Sequence, residues 1–326
     1  MAKSSALKSL DHDLKWPWSV LVLLALIALP FVANVFGEAF YIALATRILI
    51  FALAATSLNL ILGFGGMVSF GHALYFGVSG YAMGLLLQGQ WLSAEWAMAV
   101  TLLGMALAAF LMGLVMVRVP GVAFGMLTLA VGQMAFLTAS RSRGLTGGAD
   151  GMNIDWPNTL FGLSTSMLLK PAHMFLLSWT TLVVVVVLLT LLLRSRFGGI
   201  TEAVRDNEER ARFIGIRTVL PRAAIYALSA VVTGIAGLLS SLNTGFVSPE
   251  NLHWSLSGVA LMMVVVGGFK ALWGPALGAV VYFIFKDVVG DYATHWMSIF
   301  GVALIAVIVF SPTGIAGALQ ALWQGK

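Results

Sequence analysis

The sequence predicts an all-α, polytopic membrane bundle of about ten spans, one of them glycine-broken or re-entrant, with both termini cytoplasmic. Three observations carry that expectation. Of 326 residues, 60% are hydrophobic and 10% charged, against about 25% charged in a soluble domain. Apolar runs near the ~20 residues that cross a bilayer recur along the whole chain. Charge is concentrated in one stretch, Arg194 to Arg222, which holds basic residues 194, 196, 205, 210, 212, 217 and 222 and acids 202, 206, 208 and 209.

Each element follows from this pattern. Residues 1–17 read as a cytoplasmic tail and 18–326 as one permease-like membrane domain. The first span runs from Trp18 to Phe36; its length argues for a retained span rather than a signal peptide. The second covers Phe40 to Leu62 and contains Arg47, which either lines a pore or snorkels near the outer end. The third covers Met67 to Leu87 and is entered through GFGGMVSFGH, Gly63 to His72. Such glycine density suggests a broken entry, tolerated only where protein or a water-filled cavity covers the backbone. Trp91 and Trp96 mark the outer interface. The fourth and fifth spans cover Ala97 to Val117 and Gly121 to Ala139. An outer loop, 140–171, contains LTGGADG. The sixth span covers Met174 to Leu193, the seventh Ala223 to Leu242, and an outer loop follows at 243–254. The eighth, ninth and tenth cover Ser255 to Phe269, Leu272 to Gly290 and His295 to Phe310. Small-residue pairs at 80/84, 121/125 and 274/278 suit close helix packing.

The segment 194–222 is expected on the cytoplasmic side, because short loops rich in Lys and Arg resist translocation. Ile200, Ala203, Val204, Asn207, Ala211 and Ile214 recur at helical spacing. On the other face Arg205/Glu209, Asp206/Arg210 and Glu208/Arg212 stand four apart, each pair worth about 0.2–0.5 kcal/mol. Gly198 and Gly199 precede this helix and Gly215 falls at its end. The residues read either as an interfacial surface helix or as a docking helix for a soluble partner.

Other chemistry is sparse. The net charge of +5 fits positive-inside loops and does not suggest nucleic acid. With no cysteine and five scattered histidines, nothing has thiolate or metal-ligand spacing. No nucleophile–base pair and no P-loop pattern occurs, so no catalytic or metal residue is expected and any ATP use belongs to another subunit. Asn59, Ser69, His72, Thr128 and Gln133 are intramembrane polar residues that either line a solute path or bond neighbouring backbone. Lys286 and Asp287 read as interface pairing near the outer end of the ninth span.

Six stretches then carry a resemblance: NLILGFGGMVSFGHALYFGVSGYAMG from Asn59, LTLAVGQ from Leu127, LTGGADG from Leu145, EAVRDNEERARFIGI from Glu202, GFVSPE from Gly245 and VVVGGFKALWGPALGA from Val264. Together they resemble the LivM-type permeases of bacterial ABC importers for branched-chain amino acids. The resemblance implies alternating access in the bacterial inner membrane, beside a LivH-type permease. It implies two cytoplasmic ATPases holding ATP and Mg, a periplasmic solute-binding protein, and no cofactor on this chain. It implies that Glu202, Ala203, Arg205, Asp206, Asn207, Glu208, Glu209, Arg210, Ala211 and Gly215 form the coupling helix on which an ATPase docks. Thr146, Gly147, Gly148, Asp150 and Glu250 would lie on the binding-protein side. The family also carries urea, amides and small carboxylates, so the cargo stays open. A stand-alone secondary transporter or channel is the alternative of another class; it predicts intramembrane carboxylates, which are almost absent here.

Overall fold

The computed structural model describes residues 39–89, 92–269, 271–293, 295–311 and 313–323. The expected tail and first span (1–36), Trp91 and Lys270 lie outside them. Long helices dominate, as the apolar runs require: α1 Ala39–Asn59, α2 Ala73–Gln88, α3 Ala94–Met116, α4 Val122–Arg141 and α5 Pro171–Arg194. Two short helices follow, α6 Arg196–Asp206 and α7 Glu208–Phe213. The chain continues with α8 Val219–Thr244, α9 Trp254–Gly267, α10 Gly274–Gly290, α11 Trp296–Phe310 and α12 Gly314–Trp323. Six of the described helical stretches are long and apolar enough to cross a membrane.

Burial separates centre from periphery. The most apolar windows of α1 and α8 are 67% and 72% buried, those of α3 and α5 only 22% and 28%. Helix α8 packs on α1, α2 and α3, while α9 and α10 form a hairpin against α1. The outward side chains of α3, namely Val100, Leu103, Leu107, Leu111 and Val115, are exposed at helical spacing. In a water-soluble protein that stripe would be anomalous; on a membrane helix it is the surface that meets lipid or another subunit.

The third expected span departs from its prediction in a way that matters below. Its helix begins at Ala73, not Met67. Helix α1 widens into a π turn at Leu60–Phe64, and residues 67–70 run without helical structure. The 16 residues of α2 span roughly 24 Å at 1.5 Å each, short of the ~30 Å hydrocarbon core. An irregular leg at that depth must be covered by protein, and it is: Met67, Ser69, Gly71 and His72 are all buried.

Four further expectations are corrected. The structure is not purely helical. Met152–Asn153 (β1) pairs with Phe246–Val247 (β4), and Thr159–Leu160 (β2) with Leu163–Ser164 (β3). The first ladder ties loop 140–171 to loop 243–254, a long-range pairing that local pattern does not reveal. Gly121 contributes nothing to close packing, since a Cβ there would meet open space, whereas Gly80 lies against Val247 and Gly278 against the Met263 carbonyl. Lys286 does not pair with Asp287 among the described contacts; its Nζ sits 6.0 Å from the centre of the Trp296 ring. Beyond the tenth expected span the chain forms one more helix, α12.

Candidate functional site

The charged segment folds as two helices, not one. The break is at Asn207, whose backbone leaves the helical region (φ −158°, ψ 101°) and whose Oδ1 accepts the Arg210 N–H at 2.8 Å. Asparagine is a strong N-cap residue, and Glu208 and Glu209 follow it in the first turn, where the helix dipole favours acids. The sequence signal was therefore present, but the unbroken apolar spacing hid it. The break also removes two of the three expected charge pairs. Arg205 Nη2 instead meets Asp206 at 2.8 Å and Glu202 at 3.7 Å, while Glu208 does pair with Arg212 at 2.5 Å.

Both ends of this pair of helices have clear causes. Gly198 and Gly199 lie inside α6 rather than before it. Ser195 caps α6 by accepting the Phe197 N–H, and Gly198 has no room for a side chain because a Cβ would sit 2.0 Å from the Leu193 carbonyl oxygen. At the other end Gly215 adopts φ +85°, a left-handed conformation natural to glycine. The Gly215 and Ile216 N–H groups return to the carbonyls of Arg212 and Ala211 and close α7. The buried face is Gly198, Thr201 and Val204 on α6 and Ala211 on α7. Of the expected stripe, Ile200, Ala203, Asn207 and Ile214 are exposed. The tip is apolar and open: Phe213 is 89% exposed and Ile214 70%.

Two side chains fasten the segment to the bundle. Glu208 bonds Arg222 Nη1 at 2.8 Å, on the first turn of α8, and accepts the Thr218 hydroxyl at 3.0 Å. Arg205 Nη1 donates to the Gly63 carbonyl at 2.8 Å, in the π turn that ends α1. Burial alone would raise the Glu208 pKa; the Thr218 hydrogen bond and the Arg222 and Arg212 charges outweigh it and hold the carboxyl below its ordinary 4.5. A carboxyl depressed in the fold stabilises fully above its unfolded pKa, and that contribution is lost as pH falls through the folded value. Glu208→Gln is therefore expected to lower the melting temperature at pH 7 by about 1–3 °C. The gap to the parent should close as the pH is taken below 4.5, and thermal unfolding across that range measures it. Asn207→Ala should loosen α7 by about 0.5–2 kcal/mol, read as roughly 2–30-fold faster amide exchange at residues 210–213.

Two of the polar residues expected within the membrane, Ser69 and His72, meet at the centre of α1, α2 and α8. His72 Nδ1 is 2.8 Å from Ser69 Oγ and Nε2 is 2.7 Å from Ser229 Oγ. The Ser229 hydroxyl donates to the Ser57 carbonyl, and the Ser57 hydroxyl donates to the Ser229 carbonyl. With the Ser229 proton given to the Ser57 carbonyl, Nε2 of His72 would carry the hydrogen and Nδ1 accept from Ser69. Thr233 completes the set at 2.7 Å from Ser57. Tyr75 and Tyr226 join their hydroxyls at 2.8 Å and pack edge-on to the His72 ring. Sequence reading found His72 and Ser69 but not Ser57, Ser229, Thr233 or the two tyrosines; single hydroxyls in apolar helices look alike until the helices are assembled.

The remaining candidates differ. Thr128 is buried and supports the irregular leg, accepting the Phe70 N–H at 3.1 Å and donating to the Gly125 carbonyl. Asn59 is fully buried and donates to the Ala271 carbonyl at 3.0 Å, with Oδ1 lacking a partner among the described residues. Gln133 is half-buried, and its Oε1 is likewise unpartnered. At the opposite end of the bundle the two loops converge. The Gly148–Asp150 turn lies against the Pro249–Leu252 turn. Asp150 and Glu250 are exposed there, Gly147 and Gly148 shape the turn, and Thr146 donates to the Ala139 and Ser142 carbonyls. Arg47 is exposed. No three His, Asp or Glu side chains gather as a metal site among the described residues.

With this geometry in view, the comparisons with known proteins are decisive. The family described as the permease component of the branched-chain amino acid transport system matches residues 40–311. The chain belongs to this family. Among its relatives, the high-affinity branched-chain amino acid transport permease LivM of Salmonella typhimurium is 24% identical over 83% of this chain and 69% of the relative. LivM of Escherichia coli K12 matches to the same extent. The autoinducer 2 import permease LsrC of Escherichia coli is 26% identical over 72% of this chain and 68% of the relative. No solved structure matches. The permease family and the six long apolar helices make this a multi-pass membrane protein, and the segment 202–216 and the His72 cluster both fall inside the matched region.

Proposed function

We propose that this permease is the transmembrane subunit of an ATP-driven, binding-protein-dependent importer in a bacterial inner membrane, carrying branched-chain amino acids. The observation that carries the reading is the paired α6–α7 segment. It is the most charged part of the chain, it joins two long apolar helices, and Glu208 and Arg205 fasten it to the bundle. Phe213 and Ile214 point away from the bundle beside Arg210 and Arg212, a composition that suits a protein-docking tip. Two ATPases holding ATP and Mg would bear on that tip from the cytoplasm. A LivH-type permease would cover one of the exposed apolar helix faces, and a periplasmic binding protein would meet the converged loops near Thr146, Asp150 and Glu250. Binding that favours one state of the pair shifts the bundle between outward and inward access. Asn59 and Gln133, each with a buried unpartnered oxygen, would lie on the path that opens, and Ser69, His72 and Thr128 would line it once the central cluster parts.

A second reading concerns the cargo. The LsrC likeness shows that a relative of this chain belongs to an importer of another solute; urea, amides and small carboxylates stay as alternatives. A stand-alone carrier is disfavoured by the near absence of carboxylates among the described apolar helices. The test is reconstitution with its cognate ATPases, second permease and binding protein. Leucine, isoleucine or valine should enter proteoliposomes only when ATP and binding protein are both present; uptake of equal rate without ATP would overturn the reading.

A further inference from the structure

We propose that Arg205 is a strut, a positioning residue that carries movement of the coupling segment straight to the glycine-broken leg before α2. The proposal rests on the docking role of α6–α7. A docked segment already pulls on α5 and α8, to which it is covalently joined. Arg205 provides a third connection, to a part of the chain 142 residues away.

The geometry is specific. Arg205 lies one residue before the end of α6. Its Nε and Nη2 hold Asp206 Oδ1 at 3.0 and 2.8 Å, so two carboxylates of its own helix fix the fork while Nη1 reaches the Gly63 carbonyl. That carbonyl belongs to the last turn of a helix, where carbonyls lack partners within the helix. The stem of Arg205 lies on Gly66. Gly66 has φ +66°, and a Cβ there would stand 2.6 Å from Arg205 Cγ. Beside this contact is a cleft of about 320 Å³, lined by Gly65, Gly66, Arg205, Asp206, Glu209 and Arg222. At the edge of this cleft the guanidinium spans from α6 to the turn. Beyond Gly66 the leg runs to Ser69 and His72, which bond each other and Ser229 of α8, itself bonded to Ser57 of α1. A pull on Gly63 would therefore reach the His72 cluster, whose parting would open a path.

The experiment uses the whole importer in nanodiscs. The chain has no cysteine, so Val68→Cys places a single reporter on the leg, and its maleimide labelling is read by mass spectrometry of this chain with and without ATP and vanadate. With Arg205 present, labelling should change several-fold on trapping. In Arg205→Ala the response should vanish and leucine uptake per ATP hydrolysed should fall at least tenfold, while the ATPases still co-purify and hydrolyse ATP. Arg205→Lys, which keeps one donor, should recover part of both. A nucleotide response in Arg205→Ala with normal uptake per ATP would overturn the proposal, as would no response with Arg205 present. Loss of ATPase co-purification in Arg205→Ala would also overturn it, making Arg205 a docking residue. If the ATPases do not bind even with Arg205 intact, the docking reading fails, and the strut with it.

Discussion

His72→Ala is expected to reduce uptake by at least tenfold and to destabilise the protein by roughly 2–4 kcal/mol, the sum of a large-to-small cavity and newly unpaired hydroxyls. The side chain is nearly fully buried and joins the leg before α2 to α8 through Ser69 and Ser229. Hydrogen bonds between membrane helices average only about 0.6 kcal/mol each, so most of the loss comes from the empty volume under Tyr75 and Tyr226. His72→Gln keeps a donor near the Nε2 position and should lose less than half as much stability. Thermal unfolding in detergent and uptake by the reconstituted complex measure the two effects. Equal losses for Ala and Gln would show that the ring's shape, not its bond to Ser229, holds the cluster.

The second large effect is expected at Gly237, where α8 crosses α2. A Cβ there would stand 2.1 Å from the Phe76 carbonyl oxygen and 2.3 Å from Ser79 Oγ. The obstacle is backbone, which cannot swing aside, so the two helices would have to part. Gly237→Val should cost at least about 3 kcal/mol, the upper range of overpacking, and leave little folded protein in the membrane fraction. Gly104 and Gly258 are the controls: both lie in helices where a Cβ meets nothing within 4 Å. Alanine at either should be neutral or stabilising by up to about 1 kcal/mol. Detergent-soluble yield and size-exclusion profile separate these outcomes.

The contrast among glycines also explains what the sequence could and could not reveal. Nine of the ten expected spans have a helix at nearly the expected place, and the first lies outside the described residues. Hydropathy reports the length of an apolar run directly, so existence was legible. The glycine-rich entry to the third span was legible as irregular, because glycine density is costly in a helix unless close packing uses it. What it bonds was not legible: Thr128 and Ser229 reach the leg, and Ser257 the first residue of α2, from 58 to 184 positions away in the chain. The coupling segment shows the opposite failure. Its apolar spacing continued through Asn207, so periodicity argued for one helix, while the capping chemistry of Asn207, Glu208 and Glu209 argued for two. Capping won because the side chain supplies a bond that the continued helix would deny it. Glycines at 80, 84, 121 and 125 all looked alike in sequence, yet Gly121 faces open space; only assembly tells which small residue a neighbour needs.

The central claim is that an ATPase bears on the α6–α7 tip. In this cysteine-free chain, Phe213→Cys gives one thiol on the most exposed apolar residue of that tip. Cross-linking with a short bifunctional maleimide in native membranes, followed by identification of the attached peptide, reads what lies against it. The account expects a nucleotide-sensitive cross-link to the ATPase subunit, with none from a control thiol at Leu163 at the other end of the bundle. A Phe213 thiol that reacts only with water-soluble reagent added from the periplasmic side would contradict it.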